Sequence, residues 1–118
     1  MAHILLVDDD NSLRNFIAKA LENDGHEVSG FDNAPEALNA LSVEHPAFDL
    51  ILTDIVMPEM DGFEFSQKLK KTNPNIPVIF MSGFLGLDGD QDIIPKPFHL
   101  NDIVNRVKET LAKQIPTP

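Results

Sequence analysis

The chain has 118 residues, of which 42% are hydrophobic and 24% charged, and its net charge is −10. That length fits one domain, expected over residues 1–118 with a flexible tail at about 114–118. The composition excludes an intrinsically disordered protein, and no apolar run is long enough to cross a membrane. Because the chain has no cysteine, disulfides and cysteine-ligated metal centres are excluded, and the reducing cytoplasm is the expected compartment.

The negative charge is concentrated in the first half of the chain. Residues 1–60 carry 12 acidic groups against only Arg14 and Lys19, whereas residues 61–118 carry seven groups of each sign. A protein that binds nucleic acid needs a basic face to displace counterions from phosphates, and no stretch provides one. We therefore expect no direct binding to nucleic acid, and expect a cation or a basic protein surface as partner.

Short apolar runs alternate with amphipathic helical patterns. The uniform apolar run at 4–7 predicts a strand that is buried on both faces of a parallel sheet. The next pattern predicts a helix, ended by a left-handed Gly25, whose apolar face is formed by Leu13, Phe16, Ile17, Ala20 and Leu21. A weaker strand is predicted over 27–31, and Pro35 suits the first turn of a second helix.

The second half continues this alternation. A strongly apolar strand over 50–53 is followed by a loop over 54–62, which is rich in helix-breaking residues. A third helix is predicted over 63–71, a fourth strand over 78–81 and a final helix over 100–111. Repeated βα units imply right-handed crossovers, so we predict an α/β fold with a doubly wound parallel sheet and helices on both faces.

The pattern breaks down between Ser82 and Lys96. The 13 residues from 83 to 95 include three glycines and three aspartates and show no helical periodicity. An average helix takes about 11–12 residues and a strand about 5–6, so both do not fit at normal length. We predict that a fourth helix is missing or reduced to a turn, and that a short fifth strand ends at Pro95, which has no N–H to donate.

Several reactive side chains directly follow predicted strands. Ligands of a doubly wound sheet bind beyond the carboxyl ends of its strands. These ends bring together Asp8, Asp9 and Asp10 after the first strand, Asp54 after the third, Ser82 after the fourth and Lys96 after the fifth. Clustered carboxylates repel one another unless a cation lies among them, and Mg²⁺ fits because it takes oxygen ligands and recruits phosphate. A carboxylate could then attack phosphorus, with Lys96 and Ser82 stabilising the developing charge.

In their order, four runs resemble the receiver domain of two-component response regulators, over nearly the whole chain. They are Ile4 to Asp10, Asp54 to Gly62 with Met57-Pro58, Met81-Ser82-Gly83, and Lys96-Pro97-Phe98. The resemblance implies the flavodoxin-like or CheY-like fold with strand order 2-1-3-4-5, the fourth helix being shortened or missing here. It also implies a signalling domain that catalyses only its own phosphoryl transfer and autodephosphorylation, and is otherwise no enzyme.

The resemblance also implies roles for the acidic residues. Asp54 is the expected phosphoacceptor, taking a phosphoryl group from the phosphohistidine of a sensor histidine kinase or a histidine phosphotransfer domain. Asp9 and Asp54 are expected to ligate Mg²⁺ directly, together with the backbone carbonyl of Val56. Asp8 is expected to act mainly through a metal-bound water.

Lys96 and Ser82 complete the site that the resemblance implies. Lys96 is expected to bind phosphoryl oxygens, and Ser82 to hydrogen-bond the acyl phosphate and shift the adjacent loop. Output is then a contact with a downstream protein that the sequence does not name.

Two departures from the family concern output, and two variable positions concern the lifetime of the phosphoryl group. The shortened segment truncates the face that receivers use for dimers, so the usual dimer is not expected. The position three residues before the lysine, often a switch aromatic, is Ile93. Val56 and Phe84 are apolar at positions that tune phosphoryl lifetime, and both could hinder an attacking water, so we predict a persistent phosphoryl group.

Structural interpretations compete with these roles. Asp10 or Asn11 suits the N-cap of the first helix, where a negative charge is favourable, and one cap does not need three acids. Lys96 could be only a surface ion-pair partner, and Ser82 only a hydroxyl at the end of a strand. The four histidines show no metal-ligand spacing.

Three other functions compete with that of a receiver domain. A small aspartyl-phosphate phosphatase typically has a second aspartate two positions after the nucleophile, where this chain has Val56. A flavodoxin-like cofactor binder needs a hydroxyl- and glycine-rich phosphate loop after the first strand, and the acidic run there would repel phosphate. A degenerate receiver, acting as a constitutive binding module, would lack some of the reactive side chains, all of which are present.

Overall fold

A computed structural model describes residues 2–43, 48–82, 92–95 and 98–113. The strands are β1 (His3–Val7), β2 (Glu27–Phe31), β3 (Leu50–Asp54), β4 (Val78–Ser82) and β5 (Asp92–Pro95). The helices of the described ranges are α1 (Asn11–Asn23), α2 (Ala34–Val43), α3 (Gly62–Thr72) and α4 (Leu100–Lys113). All neighbouring strands are parallel, in the order β2-β1-β3-β4-β5, which confirms the predicted α/β fold and strand order.

The central strands are apolar because both of their faces are covered. Every residue of β3 is buried, as are the last four residues of β1. Alternate side chains of a strand point to opposite faces, so Ile4 and Leu6 pack with α1 and α4, whereas Leu5 and Val7 pack with α2 and α3. The sheet therefore separates two hydrophobic cores.

Helix α1 is closed at both ends by local hydrogen bonds. The Leu13 N–H donates to the Asp10 carboxylate at 3.0 Å, which confirms the predicted N-cap. Gly25 has φ 95°, as predicted, and the next N–H, from His26, donates to the Leu21 carbonyl at 3.1 Å. This left-handed ending turns the chain directly into β2.

The two following helices have N-caps that the spacing of apolar residues did not indicate. The Glu36 N–H donates to Asn33 Oδ1 at 2.8 Å, one turn into α2, and Pro35 is the second residue of that helix. The Glu64 N–H donates to Asp61 Oδ1, also at 2.8 Å. Helix α3 consequently begins at residue 62, one position before its predicted start.

The fifth strand lies at one edge of the sheet and ends at Pro95, as predicted. A proline is tolerated there because the outer side of an edge strand needs no ladder donor. The prediction that the fourth helix of the family is missing or shortened concerns 83–91, which lies outside the described residues, as does the predicted tail at 114–118. No helix of the described ranges has the length and apolar character needed to span a membrane.

Candidate functional site

Three carboxylates converge at the carboxyl ends of the two central strands. Asp8 follows β1 directly, and Asp54 is the last residue of β3, the neighbouring strand. One carboxylate oxygen from each of Asp8, Asp9 and Asp54 lies within 4.8 Å of the other two. Asp8 is 0% exposed and Asp54 6%, whereas Asp9 is open to solvent. The structure thus brings together three of the acidic residues that the sequence placed at one rim.

Asp8 is held by three contacts of its own backbone and carboxylate. Its N–H donates to the Phe31 carbonyl at 3.1 Å, which extends the pairing of β1 with β2 by one residue. Its Oδ1 accepts the Asp10 N–H at 2.9 Å, and its backbone carbonyl accepts Nη1 of Arg14 at 2.7 Å. The orientation of this buried carboxylate is therefore fixed by the loop between β1 and α1.

Asp54 is fixed by the residue that follows it. The Ile55 N–H lies 3.0 Å from Asp54 Oδ1 and also 3.0 Å from the Met81 carbonyl, so one donor is shared between the carboxylate and the sheet. The Ile55 carbonyl accepts the Gly62 N–H at 2.8 Å. The start of α3 is thereby tied to the strand end that presents the Asp54 carboxylate.

Gly62 is a part of the site that the sequence analysis quoted as a landmark without assigning it a role. A Cβ built at this position would collide with the backbone carbonyl of Asp54 and lie 3.0 Å from Ile55 Cα. Only glycine allows the helix to approach the strand so closely. The available signal was the Asp61-Gly62 pair, in which an N-cap is followed by a residue without a side chain.

The other predicted site residues lie on the same rim or outside the described ranges. Ser82 ends β4, is 1% exposed, and is paired with Pro95 of β5. Asp54 is paired with Met81 on that neighbouring strand, so the Ser82 hydroxyl follows at the next position along the rim. Val56 lies two residues after Asp54, and its side chain is 54% exposed. Lys96 lies outside the described residues.

The donor set suits a hard divalent cation. Mg²⁺ takes oxygen ligands at about 2.1 Å in octahedral geometry, so opposite ligands are about 4.2 Å apart. The three carboxylate oxygens lie within 4.8 Å of one another, and side-chain rotations that bring adjacent oxygens to about 3 Å would let them share one ion. Within the described residues, no second group of three histidine, aspartate or glutamate side chains brings its ligand atoms within 4.8 Å of one another. The site therefore fits the cation that the acidic cluster was predicted to hold.

Comparison with known proteins identifies the family of this chain. Residues 4–108 match the family described as the response regulator receiver domain. The chain is 43% identical to the response regulator receiver protein CpdR of Brucella abortus (strain 2308), over 94% of this chain and 98% of that protein. It is 36% identical to the sensor kinase CckA of the same strain, over 96% of this chain but only 13% of that protein.

A solved structure agrees at the level of the fold. The CheY-like response regulator receiver domain protein of Methanospirillum hungatei JF-1 superposes with a TM-score of 0.86 at 32% identity, covering 97% of this chain and 96% of that one. The chain therefore belongs to the response regulator receiver family, with the CheY-like fold, and is a phosphorylatable signalling domain rather than a classical enzyme.

Proposed function

We propose that Asp54 is the residue that accepts the phosphoryl group. The observation that carries this assignment is the burial of Asp54, 6% exposed, within 4.8 Å of two further carboxylates at the end of a central strand. Its Oδ1 accepts the Ile55 N–H at 3.0 Å, which holds the carboxylate at the end of the strand. A lone turn aspartate needs neither burial nor two acidic neighbours.

Transfer from a phosphohistidine is balanced without a further reactant. An Asp54 oxygen attacks phosphorus and forms an O–P bond, while the P–N bond breaks and its electron pair returns to the imidazole. The donor is a histidine kinase or a histidine phosphotransfer domain, which the likeness to a receiver within the sensor kinase CckA supports. The residues of this chain hold the Asp54 carboxylate in place and set the charge that surrounds it.

Asp8, Asp9 and Asp54 would hold Mg²⁺, and the predicted backbone ligand is the carbonyl of Val56. A bound Mg²⁺ neutralises negative charge on the phosphoryl oxygens. Ser82, buried at the end of β4, would donate its hydroxyl to the acyl phosphate, and Lys96 would bind a second phosphoryl oxygen. Hydrolysis of the acyl phosphate then resets the domain.

Output is proposed to be a contact with a downstream protein. The described strands form one sheet, and the acidic first half of the chain does not favour nucleic acid. A single receiver domain over 1–118 and a cytoplasmic location stay predictions.

The test is the intact mass of the chain after incubation with Mg²⁺ and acetyl phosphate or phosphoramidate. Mass is the appropriate readout because the chain has no tryptophan for a fluorescence assay. We expect one added phosphoryl group, which is lost with EDTA and in Asp54→Asn. Asp49→Asn is the matched control, because Asp49 is an exposed aspartate just before β3, at the opposite end from Asp54.

Two results would contradict the proposal. Equal phosphorylation of Asp54→Asn would place the acceptor elsewhere. No adduct from small donors, followed by none from a purified phosphorylated kinase, would identify a degenerate receiver that acts as a constitutive binding module.

A further inference from the structure

Arg14 reaches from helix α1 to the loop that carries the acidic residues. Its Nη1 donates to the backbone carbonyl of Asp8 at 2.7 Å, and its Nη2 donates to Asn11 Oδ1, also at 2.7 Å. Both are short bonds from a charged donor, the class that is about twice as strong as a neutral pair. The guanidinium thus joins the end of β1 to the first residue of α1.

The hydrogen bond from Arg14 Nη1 to the Asp8 carbonyl bears on the acidic loop. The Asp8 carbonyl belongs to the peptide group that links Asp8 to Asp9, the two metal-binding residues of this loop. Because a peptide group is planar, a donor fixed on its oxygen also fixes the direction in which the chain leaves towards Asp9. The opposite side of Asp8 is fixed by its N–H bond to Phe31.

The stem of Arg14 is supported by a gap on β2. A Cβ placed on Gly30 would lie 3.3 Å from Arg14 Cδ and 3.5 Å from Nε, tighter than ordinary contact at the first of these atoms. The absence of a side chain at Gly30 therefore leaves the space in which the stem lies. From this position the guanidinium reaches the Asp8 carbonyl.

We propose that Arg14 is a positioning residue for the metal site, holding the Asp8–Asp9 peptide so that both carboxylates face the cation together. The inference rests on the proposed binding of Mg²⁺. Positioning and charge predict opposite changes in Mg²⁺ affinity when Arg14 is replaced, because a guanidinium near the site repels a divalent cation. Removing only a nearby charge would tighten Mg²⁺ binding, whereas losing the positioning contact weakens it.

The experiment measures the Mg²⁺ dissociation constant of the full chain by calorimetry. Arg14→Met keeps the aliphatic stem without the donors, and Arg14→Lys keeps the charge without the two-armed geometry. We expect about tenfold weaker binding for both, the usual range for loss of an outer-shell contact. Lys19→Met is the matched control, because it removes the same charge from an exposed position of α1 and should leave the affinity almost unchanged.

A second set of measurements separates positioning from folding. Gly30→Ala leaves every charge in place but crowds the Arg14 stem, so it should also weaken Mg²⁺ binding. In metal-free protein, the backbone amide signals of Asp9 and Asp10 should shift in Arg14→Met, while those of β3 stay in place. Gly30→Ala remains decisive if Arg14→Met folds poorly, and the amide signals of Arg14→Met remain decisive if Gly30→Ala folds poorly.

The outcomes distinguish this inference from the function on which it rests. Unchanged or tighter Mg²⁺ binding by folded Arg14→Met, with normal binding by the unmodified chain, overturns the positioning role alone. No Mg²⁺ binding by the unmodified chain overturns the proposed metal site as well. Weaker binding in Arg14→Met, Arg14→Lys and Gly30→Ala, with an unaffected Lys19→Met, establishes it.

Discussion

The backbone carbonyl of Asp54 occupies the space where Gly62 would carry a β-carbon. The same two segments are joined by the hydrogen bond from the Gly62 N–H to the Ile55 carbonyl at 2.8 Å. The first turn of α3 therefore rests directly on the backbone of the proposed phosphoacceptor. A change at either residue is transmitted to the other without an intervening side chain.

Gly62→Ala should destabilise the fold and displace the Asp54 carboxylate. Overpacking of a tight contact costs about 1–3 kcal/mol, which urea denaturation would measure. Gly25→Ala is the control, because its φ of 95° also penalises a side chain while nothing lies within 4 Å of a Cβ there. It should cost about 1–2 kcal/mol without slowing phosphorylation. Equal phosphorylation rates in the two variants would contradict the coupling of Gly62 to Asp54.

Asp9→Asn should have opposite effects on stability with and without Mg²⁺. In metal-free buffer, the loss of one of three clustered carboxylates removes repulsion at an exposed position, which should stabilise the fold by up to about 1 kcal/mol. With Mg²⁺, the unmodified chain gains stability by mass action, and the variant gains less. Thermal unfolding with and without the ion measures both effects, with Glu22→Gln as the control on α1. An equal response of Asp9→Asn and the unmodified chain to Mg²⁺ would remove Asp9 from the metal site.

Asp10 is expected to be structural, although it adjoins two proposed metal ligands. Its carboxylate accepts the Leu13 N–H, so Asp10→Ala should cost about 1 kcal/mol of stability and Asp10→Ser should restore most of that loss. Both variants remove the same charge, so their Mg²⁺ affinities should be alike and far less reduced than that of Asp9→Asn. A loss of Mg²⁺ binding as large as in Asp9→Asn would make Asp10 a ligand.

Glu59→Gly should stabilise the loop between β3 and α3. Glu59 has φ 73°, the one non-glycine residue with positive φ in the described part of the chain, and a side chain there costs about 1–2 kcal/mol. Part of that gain is offset by the greater freedom of glycine in the unfolded chain, so a net gain of about 0.5–1 kcal/mol is expected. Glu59→Gln removes the charge but keeps the β-carbon, and should not reproduce the gain. A gain of the same size in Glu59→Gln would assign it to charge instead.

Val56→Asn should shorten the lifetime of the phosphoryl group several-fold. An exposed apolar side chain two residues after Asp54 hinders an attacking water, whereas an amide can hydrogen-bond one. The decay of phosphorylated mass after removal of the donor measures the rate. Phe16→Asn is a matched control, since Phe16 is 62% exposed on α1 and is not a part of the site. An unchanged decay rate in Val56→Asn would contradict the shielding role.

The sequence predicted the elements whose cause is local and repeated along the chain. The uniform apolar runs of β1 and β3 follow from burial on both faces, and every predicted helix is present in the described part. Boundaries were less accurate because a single side chain sets them. Helix α3 begins at Gly62 because Asp61 caps it, and such a cap leaves no trace in the periodicity of apolar residues.

The site was predictable where it depends on topology, and not where it depends on contacts across elements. Asp8, Asp9 and Asp54 meet because parallel strands end at the same edge. The hydrogen bond from Arg14 to the Asp8 carbonyl could not be predicted. The Arg14 stem lies beside Gly30 of β2, and the sequence alone does not show that these two residues are neighbours. The predicted roles of Lys96 and Phe84 concern residues outside the described ranges and stay predictions.

The bonds from the Asp8 N–H to Phe31 and from the Ile55 N–H to Met81 continue the sheet one residue past β1 and β3. The carboxylates of Asp8 and Asp54 are consequently attached to backbone that is hydrogen-bonded to the neighbouring strands. We therefore expect this backbone to keep its position on phosphorylation, and the signal to pass through side chains and loops beyond the strand ends.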